Sequence, residues 1–404
     1  MNIVIVGHID HGKSTLIGRL LYDTNSIPQD KIEEIKEICK AKGKKLEFSF
    51  FLDYLQEERE QGITIDSSRI FFKTKKRDYT IIDSPGHVEF IKNMITGASK
   101  AEAAILIIDA KEGIKEQTKR HAYILSLLGL NQTTVVINKM DLIDYKENRF
   151  LEIKDKLTKV LESIGITSLH FVPIVATDGE NIVKKSENMP WYNGKTLIEY
   201  LDSFKQTNKH HSALRFVVQG TYKLDKKEII VGKIESGEIK KGDKITILPN
   251  NSKTTVASIE KFLENPNKAG VGESIGITTT NKTPVKRGDI ICKEDDMPKI
   301  NQLINAKIFW MSDKPLNIKD KLNLKLATQE VSATIEKINL VIDSSTFQEI
   351  RSNSNNLNNN EVGIVTIKTL NPVVFDDFKK IAETGRFVIE KDMQIVAGGT
   401  VTNL

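Results

Sequence analysis

The chain has 404 residues, of which 39% are hydrophobic and 28% charged, as is typical of a folded protein and not of a disordered one. Its net charge of +5 comes from 59 basic and 54 acidic residues that are scattered along the chain, so we expect no nucleic-acid partner. No apolar run approaches the roughly 20 residues of a membrane helix. The first apolar run begins almost at the first residue, which leaves no room for a signal peptide. We therefore expect a cytoplasmic protein without a membrane partner.

The two cysteines are predicted to be free thiols. Cys39 and Cys292 lie far apart and have neither the spacing of a disulfide framework nor that of a zinc site. This fits a reducing compartment.

The first predicted elements are a strand, a loop and a helix that together form a phosphate-binding motif. The apolar run at residues 3–6 is followed by G-x-x-x-x-G-K-[ST] and then by a helical pattern at residues 15–21. In such a loop, backbone N–H groups and the helix N-terminus surround phosphate oxygens, the lysine reaches the outer phosphates, and the serine hydroxyl binds Mg²⁺. The predicted nucleotide-binding residues are Gly7, His8, Ile9, Asp10, His11, Gly12, Lys13, Ser14 and Thr15, and Ser14 is also a predicted metal ligand.

Strand-like runs alternate with helical patterns up to about residue 205. The runs lie at residues 2–6, 80–83, 103–109, 133–137 and 171–175. This alternation predicts an α/β domain with a mostly parallel sheet. In the charged segment after the first helix, Ile32, Ile35 and Ile38 have helical spacing, which predicts a helix face packed on that sheet.

Two further segments are predicted to contact the γ-phosphate side of the nucleotide. Thr64, within residues 57–66, can bind Mg²⁺ through its hydroxyl, so that its loop becomes ordered only with a triphosphate. Asp83 ends a strand and would hold Mg²⁺ through water, and it is followed by Ser84, Pro85, Gly86 and His87. His87 is the predicted catalytic residue, because it is placed to orient the attacking water as a glutamine does in known GTPases.

A third motif predicts which base is bound. Asn138, Lys139, Met140 and Asp141 follow the buried strand at residues 133–137. The carboxylate of Asp141 can accept hydrogen bonds from N1–H and N2–H₂ of guanine, whereas adenine would present a lone pair to it. Because an unpaired buried polar group costs about 1–3 kcal/mol, one aspartate can separate GTP from ATP. The predicted cofactors are therefore GTP and Mg²⁺.

Beyond residue 207 the pattern of the sequence changes. Residues 207–212 are predicted to be a linker, after which short strand-like segments alternate with turn residues, a pattern typical of small barrels. We predict three domains: a GTP-binding domain at 1–207 and two all-β barrels at 212–297 and 298–404. The asparagine-rich stretch at residues 353–360 is predicted to be a solvated loop.

Together these motifs resemble the translation-factor class of GTPases, elongation factor one-alpha among them. The resemblance implies the same order of a GTP-binding domain and two β-barrels. Residues 52–62, 109–113, 117–121, 127–129, 137–145 and 186–192 also resemble the large GTP-binding subunit of bacterial sulfate adenylyltransferase. That resemblance implies a small catalytic partner subunit that forms adenylyl sulfate and pyrophosphate from ATP and sulfate, coupled to GTP hydrolysis by the large subunit.

The sequence departs from this resemblance at several positions. His8 and His11 are similar to a translation factor, where serine and aspartate are expected for the sulfate enzyme. The loop implied to contact guanine contains Val175 and Ala176 instead of serine and alanine, and because the Ala176 N–H is retained we expect weaker, not lost, binding. No second G-x-x-x-x-G-K-[ST] occurs, so we expect no fused adenylyl-sulfate kinase.

Two alternatives stay open. One is an elongation-factor-like GTPase that delivers aminoacyl-tRNA. Against it, Gln219 is followed by Gly220-Thr221-Tyr222, not by the aspartate and Gly-rich turn expected of a delivery factor. The other is a GTPase coupled to a different nucleotidyltransferase.

Overall fold

A computed structural model describes residues 1–41, 43, 46–52, 69–82, 101–205, 213–224, 227–261 and 266–402. The chain forms two compact units, Met1–Gln206 and Thr207–Leu404. No helix among the described residues is long and apolar enough to cross a bilayer.

The first unit is built on a six-stranded sheet in the order β2-β3-β1-β4-β5-β6. All neighbouring strands are parallel except β2, which runs antiparallel to β3. The mostly parallel α/β sheet is therefore confirmed. The strands are β1 Asn2–Gly7, β2 Arg69–Lys73, β3 Asp78–Ile82, β4 Ala101–Asp109, β5 Gln132–Asn138 and β6 Ser168–Pro173, and the helices are α1 Lys13–Asp23, α2 Gln29–Ala41, α3 Glu116–Leu127, α4 Glu147–Ser163 and α5 Leu197–Ser203.

Two features of this unit differ from expectation. Strand β2 was not predicted, although Ile70 and Phe72 are buried while Phe71 is 66% exposed, which is the alternation of a half-buried strand. In α2, Ile32 and Ile35 are buried as predicted, but Ile38 is 42% exposed. Its place on the buried face is taken by Cys39, because the helix face repeats at intervals of three and four residues.

The parallel strands bring their carboxyl ends to one edge of the sheet. In the register of the sheet, Gly7 of β1 lies beside Ile107 of β4, and Asp109 at the end of β4 lies beside Asn138 at the end of β5. The residues that follow β1, β4 and β5 are therefore brought together, and in open α/β sheets this edge is where ligands bind.

The second unit contains two barrels, as expected for the fold class. The first closes in the order β10-β11-β13-β8-β7-β14, and in the second the order β17-β22-β23-β15-β21-β18 closes through pairing of β17 with β18. The strands are β7 Arg215–Leu224, β8 Lys227–Ser236, β9 Glu238–Lys240, β10 Lys244–Leu248, β11 Ser252–Glu260, β12 Lys268–Gly270, β13 Ser274–Thr279, β14 Ile290–Cys292, β15 Lys299–Trp310, β16 Leu316–Asn317, β17 Leu322–Leu326, β18 Gln329–Asp343, β19 Glu349–Ser354, β20 Asn356–Leu357, β21 Glu361–Phe375, β22 Arg386–Lys391 and β23 Gln394–Val401, with a short helix α6 Ala382–Gly385.

A buried ion pair joins the two barrels. Arg215 at the start of β7 is fully buried, and its guanidinium donates to both carboxylate oxygens of Asp376, which follows β21, at 2.7 Å. It also donates to the Asp296 carbonyl, and the Thr384 hydroxyl donates to Asp376. The bidentate geometry and the additional hydrogen bonds are what a buried pair needs to offset its desolvation.

The asparagine-rich stretch is not simply a solvated loop. It contains the end of β19 and the strand β20, which pairs with β16. Leu357 in the middle of the stretch is fully buried in the core of the second barrel. Burial of this one leucine anchors a segment whose composition is otherwise polar.

Replacing this anchor is expected to destabilise the second barrel. Leu357→Ala should lower the free energy of unfolding by about 2–5 kcal/mol, because it leaves a cavity in a packed core. Leu370→Ala, at a position that is 70% exposed in the same barrel, should change it by less than about 0.5 kcal/mol. Denaturant unfolding followed by fluorescence of the buried Trp310 in a Trp191→Phe background measures both. Equal effects at the two positions would contradict the anchoring role.

Candidate nucleotide-binding site

The loop between β1 and α1 has the shape of a phosphate cradle. Residues Ile9–His11 form a single 3₁₀ turn, and Gly12 caps α1 with φ of +89°, a conformation that favours glycine. The Lys13 ammonium donates to the carbonyls of Gly7 at 2.6 Å and His8 at 3.0 Å. Lys13, whose side chain is predicted to reach the outer phosphates, is thus hydrogen-bonded to its own loop in this structure.

Asn138 connects this loop to the two segments predicted to bind the base. It is 2% exposed at the end of β5. Its Nδ2 donates to the His11 carbonyl at 2.9 Å, and its Oδ1 accepts from the Ala176 N–H at 3.0 Å. A Cβ on Gly12 would lie 2.5 Å from Nδ2, so the glycine is needed for this close approach as well as for its φ angle.

The segment after β5 presents the predicted base-reading carboxylate. Residues Met140–Ile143 form a 3₁₀ turn, and Lys139 precedes it with φ of +62°. Met140 is fully buried and its N–H donates to the Ile174 carbonyl, whereas Asp141 is exposed. Asp141 is therefore held by a buried neighbour and is open to a ligand.

The loop after β6 is a tight turn beside Asn138. Val175 and Ala176 are both buried, and the Val175 carbonyl accepts from the N–H groups of Gly179 and two neighbouring residues. The Ala176 N–H, expected to contact guanine, is donated to Asn138 in this structure. Its contact with guanine stays a prediction.

A carboxylate that sequence reasoning missed lies beside these residues. Asp109 is 3% exposed at the end of β4, and its Oδ2 lies 2.8 Å from Lys139 Nζ. Burial opposes its ionisation, but the Lys139 ammonium and the N–H groups of Lys111 and Glu112 hold the pKa of its carboxyl below the usual value. The feature that could have identified Asp109 is its position at the end of a strand that lies beside the base motif.

Arg19 is a second residue that the motifs did not indicate. From α1 it donates to Asp23 and to the Thr177 carbonyl, and its guanidinium lies 4.7 Å from the centre of the Phe48 ring. A Cβ on Gly179 would lie 2.2 Å from this guanidinium. The arginine therefore ties the helix that follows the phosphate loop to the turn after β6.

His11 is fully buried beneath the phosphate loop. Its Nδ1 lies 3.3 Å from the Ile107 carbonyl, and its Nε2 lies 3.5 Å from the Glu112 carboxylate. A hydrogen on Nδ1 would be donated to the carbonyl and one on Nε2 to the carboxylate, because both of these oxygens can only accept. Burial lowers the pKa of the imidazole, against the opposing effects of Ile107 and Glu112.

Part of the predicted site lies outside the described residues. These predictions are Thr64, Asp83, Ser84, Pro85, Gly86 and His87. Among the described residues, no cluster of three histidine, cysteine, aspartate or glutamate side chains could hold a metal by itself. An exposed Ser14 in the first turn of α1 nevertheless fits Mg²⁺, because this ion is bound through few protein ligands together with substrate phosphates and water.

Comparison with known families accounts for the whole arrangement. The Elongation factor Tu GTP binding domain matches residues 1–207, Elongation factor Tu domain 2 matches 228–292, and the GTP-eEF1A C-terminal domain-like family matches 303–402. The chain belongs to the translation-factor class of GTPases. The phosphate-loop geometry and the predicted base-binding turn at one sheet edge are consistent with a GTP-binding protein of this class.

Relatives with two different names are equally similar to this GTPase. Sulfate adenylyltransferase subunit 1 of Francisella tularensis subsp. novicida is 38% identical over 99% of this chain and 85% of its own length. Elongation factor 1-alpha of Methanosarcina mazei is 38% identical over 98% of this chain and 96% of its own length. A solved structure of sup35 complexed with GDP covers 100% of this chain and 93% of its own, at 24% identity and a TM-score of 0.47.

The bridge made by Asn138 is expected to support nucleotide affinity. Asn138→Asp keeps an acceptor for the Ala176 N–H but places an oxygen against the His11 carbonyl in a buried position. Because an unsatisfied buried polar group costs about 1–3 kcal/mol, GDP affinity should fall at least about fivefold. Fluorescence titration with a labelled GDP measures the loss. Asn131→Asp, at the exposed residue just before the other end of β5, is the matched control and should bind normally.

The base preference is expected to depend on Asp141. Asp141→Asn should weaken GTP and favour xanthosine triphosphate, because the amide donates to the xanthine 2-oxo group where the carboxylate accepted from guanine N2–H₂. Competition between the two nucleotides for the wild-type and variant proteins measures the preference. An unchanged preference would place the base elsewhere.

Proposed function

We propose that GTP binds at the carboxyl edge of the sheet. Residues 7–15 would hold the phosphates, and Asn138–Asp141 with Val175 and Ala176 would hold guanine. Mg²⁺, which supplies charge neutralisation between the phosphates, would be held by Ser14, Thr64 and Asp83. His87 would orient the attacking water, with Ser84, Pro85 and Gly86 beside the γ-phosphate. The Asn138 hydrogen bonds support this assignment, because they join the phosphate loop to the base loop.

We propose further that this GTPase is the large subunit of a sulfate adenylyltransferase. It would couple GTP hydrolysis to the formation of adenylyl sulfate and pyrophosphate from ATP and sulfate by a partner subunit. The observation that carries this proposal is the match over 99% of the chain to a protein named as subunit 1 of that enzyme. Because elongation factor 1-alpha is equally similar, the surfaces of the barrels have to distinguish the two.

The charges on the first barrel argue against an RNA partner. Several of its lysines lie within 4 Å of a carboxylate, in the pairs Lys227–Glu260, Lys233–Glu235, Lys240–Glu238, Lys253–Glu294, Lys261–Glu273 and Lys293–Asp243. RNA binding draws its affinity from cations that neutralise phosphates. Lysines already paired with acids contribute little to such a surface, which supports a protein partner over RNA.

The β7–β8 hairpin supports the same choice. Pairing continues through Lys223 opposite Glu228 to Leu224 opposite Lys227, so the hairpin extends as a regular ladder where a delivery factor is expected to have a Gly-rich turn. Tyr222 is 66% and Leu224 63% exposed on it. Exposed aromatic and aliphatic side chains on a strand, such as these two, are more typical of a protein contact than of a contact with RNA phosphates.

Delivery of aminoacyl-tRNA is the second candidate. It is favoured by the fuller coverage of elongation factor 1-alpha, 96% of its length, and by His8 and His11 in the phosphate loop. A GTPase coupled to another nucleotidyltransferase is the remaining alternative, and it differs only in the partner's substrate.

The experiment that tests the proposal is purification of the full chain with its native partner, followed by assays of the complex. We expect the complex to form adenylyl sulfate from ATP and radiolabelled sulfate, with accumulation that requires hydrolysable GTP. His87→Ala should bind GTP normally, but slower hydrolysis should reduce the yield of adenylyl sulfate. GTP-dependent protection of aminoacyl-tRNA against deacylation, without adenylyl sulfate formation, would overturn the proposal in favour of the second candidate.

A further inference from the structure

The turn that follows β4 is built around the Asp109 carboxylate. Its Oδ1 accepts from the N–H groups of Lys111 at 2.7 Å and Glu112 at 3.1 Å. Its carbonyl accepts from the Gly113 N–H, and the next residue, Ala110, donates its N–H to the Asn138 carbonyl, both at 2.8 Å. The carboxylate is therefore fixed by the backbone of its own turn and lies beside β5.

Arg149 of α4 holds the outer side of the same turn. It donates from Nε to the Ala110 carbonyl at 2.9 Å and from Nη2 to the Lys111 carbonyl at 3.2 Å. A Cβ on Gly113, whose φ is +72°, would lie 2.7 Å from Nη2. The turn is thus supported on both sides, and Asp109 has little freedom to move.

The second carboxylate oxygen faces the base motif. Oδ2 lies 2.8 Å from Nζ of Lys139, whose side chain is 32% exposed whereas that of Asp109 is 4% exposed. The backbone of Lys139 is held between buried Asn138 and Met140 and has a left-handed conformation. Both ends of the lysine side chain are therefore fixed, its backbone by the turn and its ammonium by Asp109.

We propose that Asp109 is a positioning residue for the base of the bound guanine nucleotide and acts through Lys139. The inference rests on the proposed guanine site at residues 138–141. A free lysine side chain has many rotamers, and ordering it opposes binding. By holding the ammonium before the nucleotide arrives, Asp109 presents the apolar stem of Lys139 as a preformed surface beside Asp141.

The test is a double-mutant cycle measured by GDP affinity. Asp109→Asn keeps an oxygen for the backbone N–H groups of the turn but presents an amide N–H₂ to the Lys139 ammonium, which releases the lysine. We expect GDP affinity to fall about tenfold, or about 1.4 kcal/mol. In a Lys139→Met background, which keeps an apolar stem without the ammonium, Asp109→Asn should cause no further loss. Asp155→Asn, exposed on α4, is the matched control.

Two results would overturn the inference. One is unchanged GDP affinity in Asp109→Asn, and the other is a further tenfold loss when Asp109→Asn is added to Lys139→Met. The second result would mean that Asp109 supports the turn and not the lysine. Thermal unfolding of each variant, measured alongside, shows whether the protein is folded when affinity is lost.

A failure of the guanine site itself gives a different result. In an Asp141→Asn background that binds xanthosine diphosphate, Asp109→Asn should again reduce affinity about tenfold, because the lysine stem contacts either base. If Asp141→Asn does not change the preferred base, the proposed guanine site is wrong. If it does and the cycle shows no coupling, only the role of Asp109 is wrong.

Discussion

The nucleotide site depends on the two hydrogen bonds of the buried Asn138 side chain. One joins it to the His11 carbonyl in the phosphate loop, and the other to the Ala176 N–H in the turn after β6. An amide is suited to this position because it offers a donor and an acceptor on one planar group. The three segments that meet here come from strand ends that parallel pairing already brings to one edge. Asn138 thereby fixes the distance between the loop proposed to hold the phosphates and the turn proposed to hold the base.

Around this amide, the site is supported by groups that hold other parts of it in place. Gly12 allows the close approach of Asn138, Arg19 ties α1 to the turn after β6, and Asp109 holds the ammonium of Lys139. Each is anchored by backbone groups or by a buried partner, so the side chains left exposed for a ligand, such as Asp141, stand on rigid supports. Because these groups are already held in place, little conformational entropy is lost when a ligand binds, and the site is preorganised.

The sequence predicted the parts of the fold that depend on short spacing. The phosphate loop and Asn138–Asp141 are contiguous motifs, and the five predicted strands of the sheet are continuous apolar runs. Sequence reasoning missed what depends on contacts between distant segments. The role of Asp109 depends on its register beside Asn138 in the neighbouring strand. The burial of Cys39 in place of Ile38 depends on how α2 is rotated against the sheet. The burial of Leu357 depends on pairing with a strand about forty residues earlier. None of these contacts produces a pattern of neighbouring residues that could be recognised in the sequence.

The same reasoning explains why the GTP site does not by itself identify the process that GTP serves. The residues proposed to bind the phosphates and guanine would serve both candidate functions equally. The difference has to lie where the barrels meet a partner. Several lysines of the first barrel are already paired with carboxylates, as in Lys253–Glu294 and Lys293–Asp243, which lowers what their charge would contribute to binding RNA phosphates. The protein partner that we propose would leave those pairs in place and cover the exposed Tyr222 and Leu224 of the β7–β8 hairpin instead.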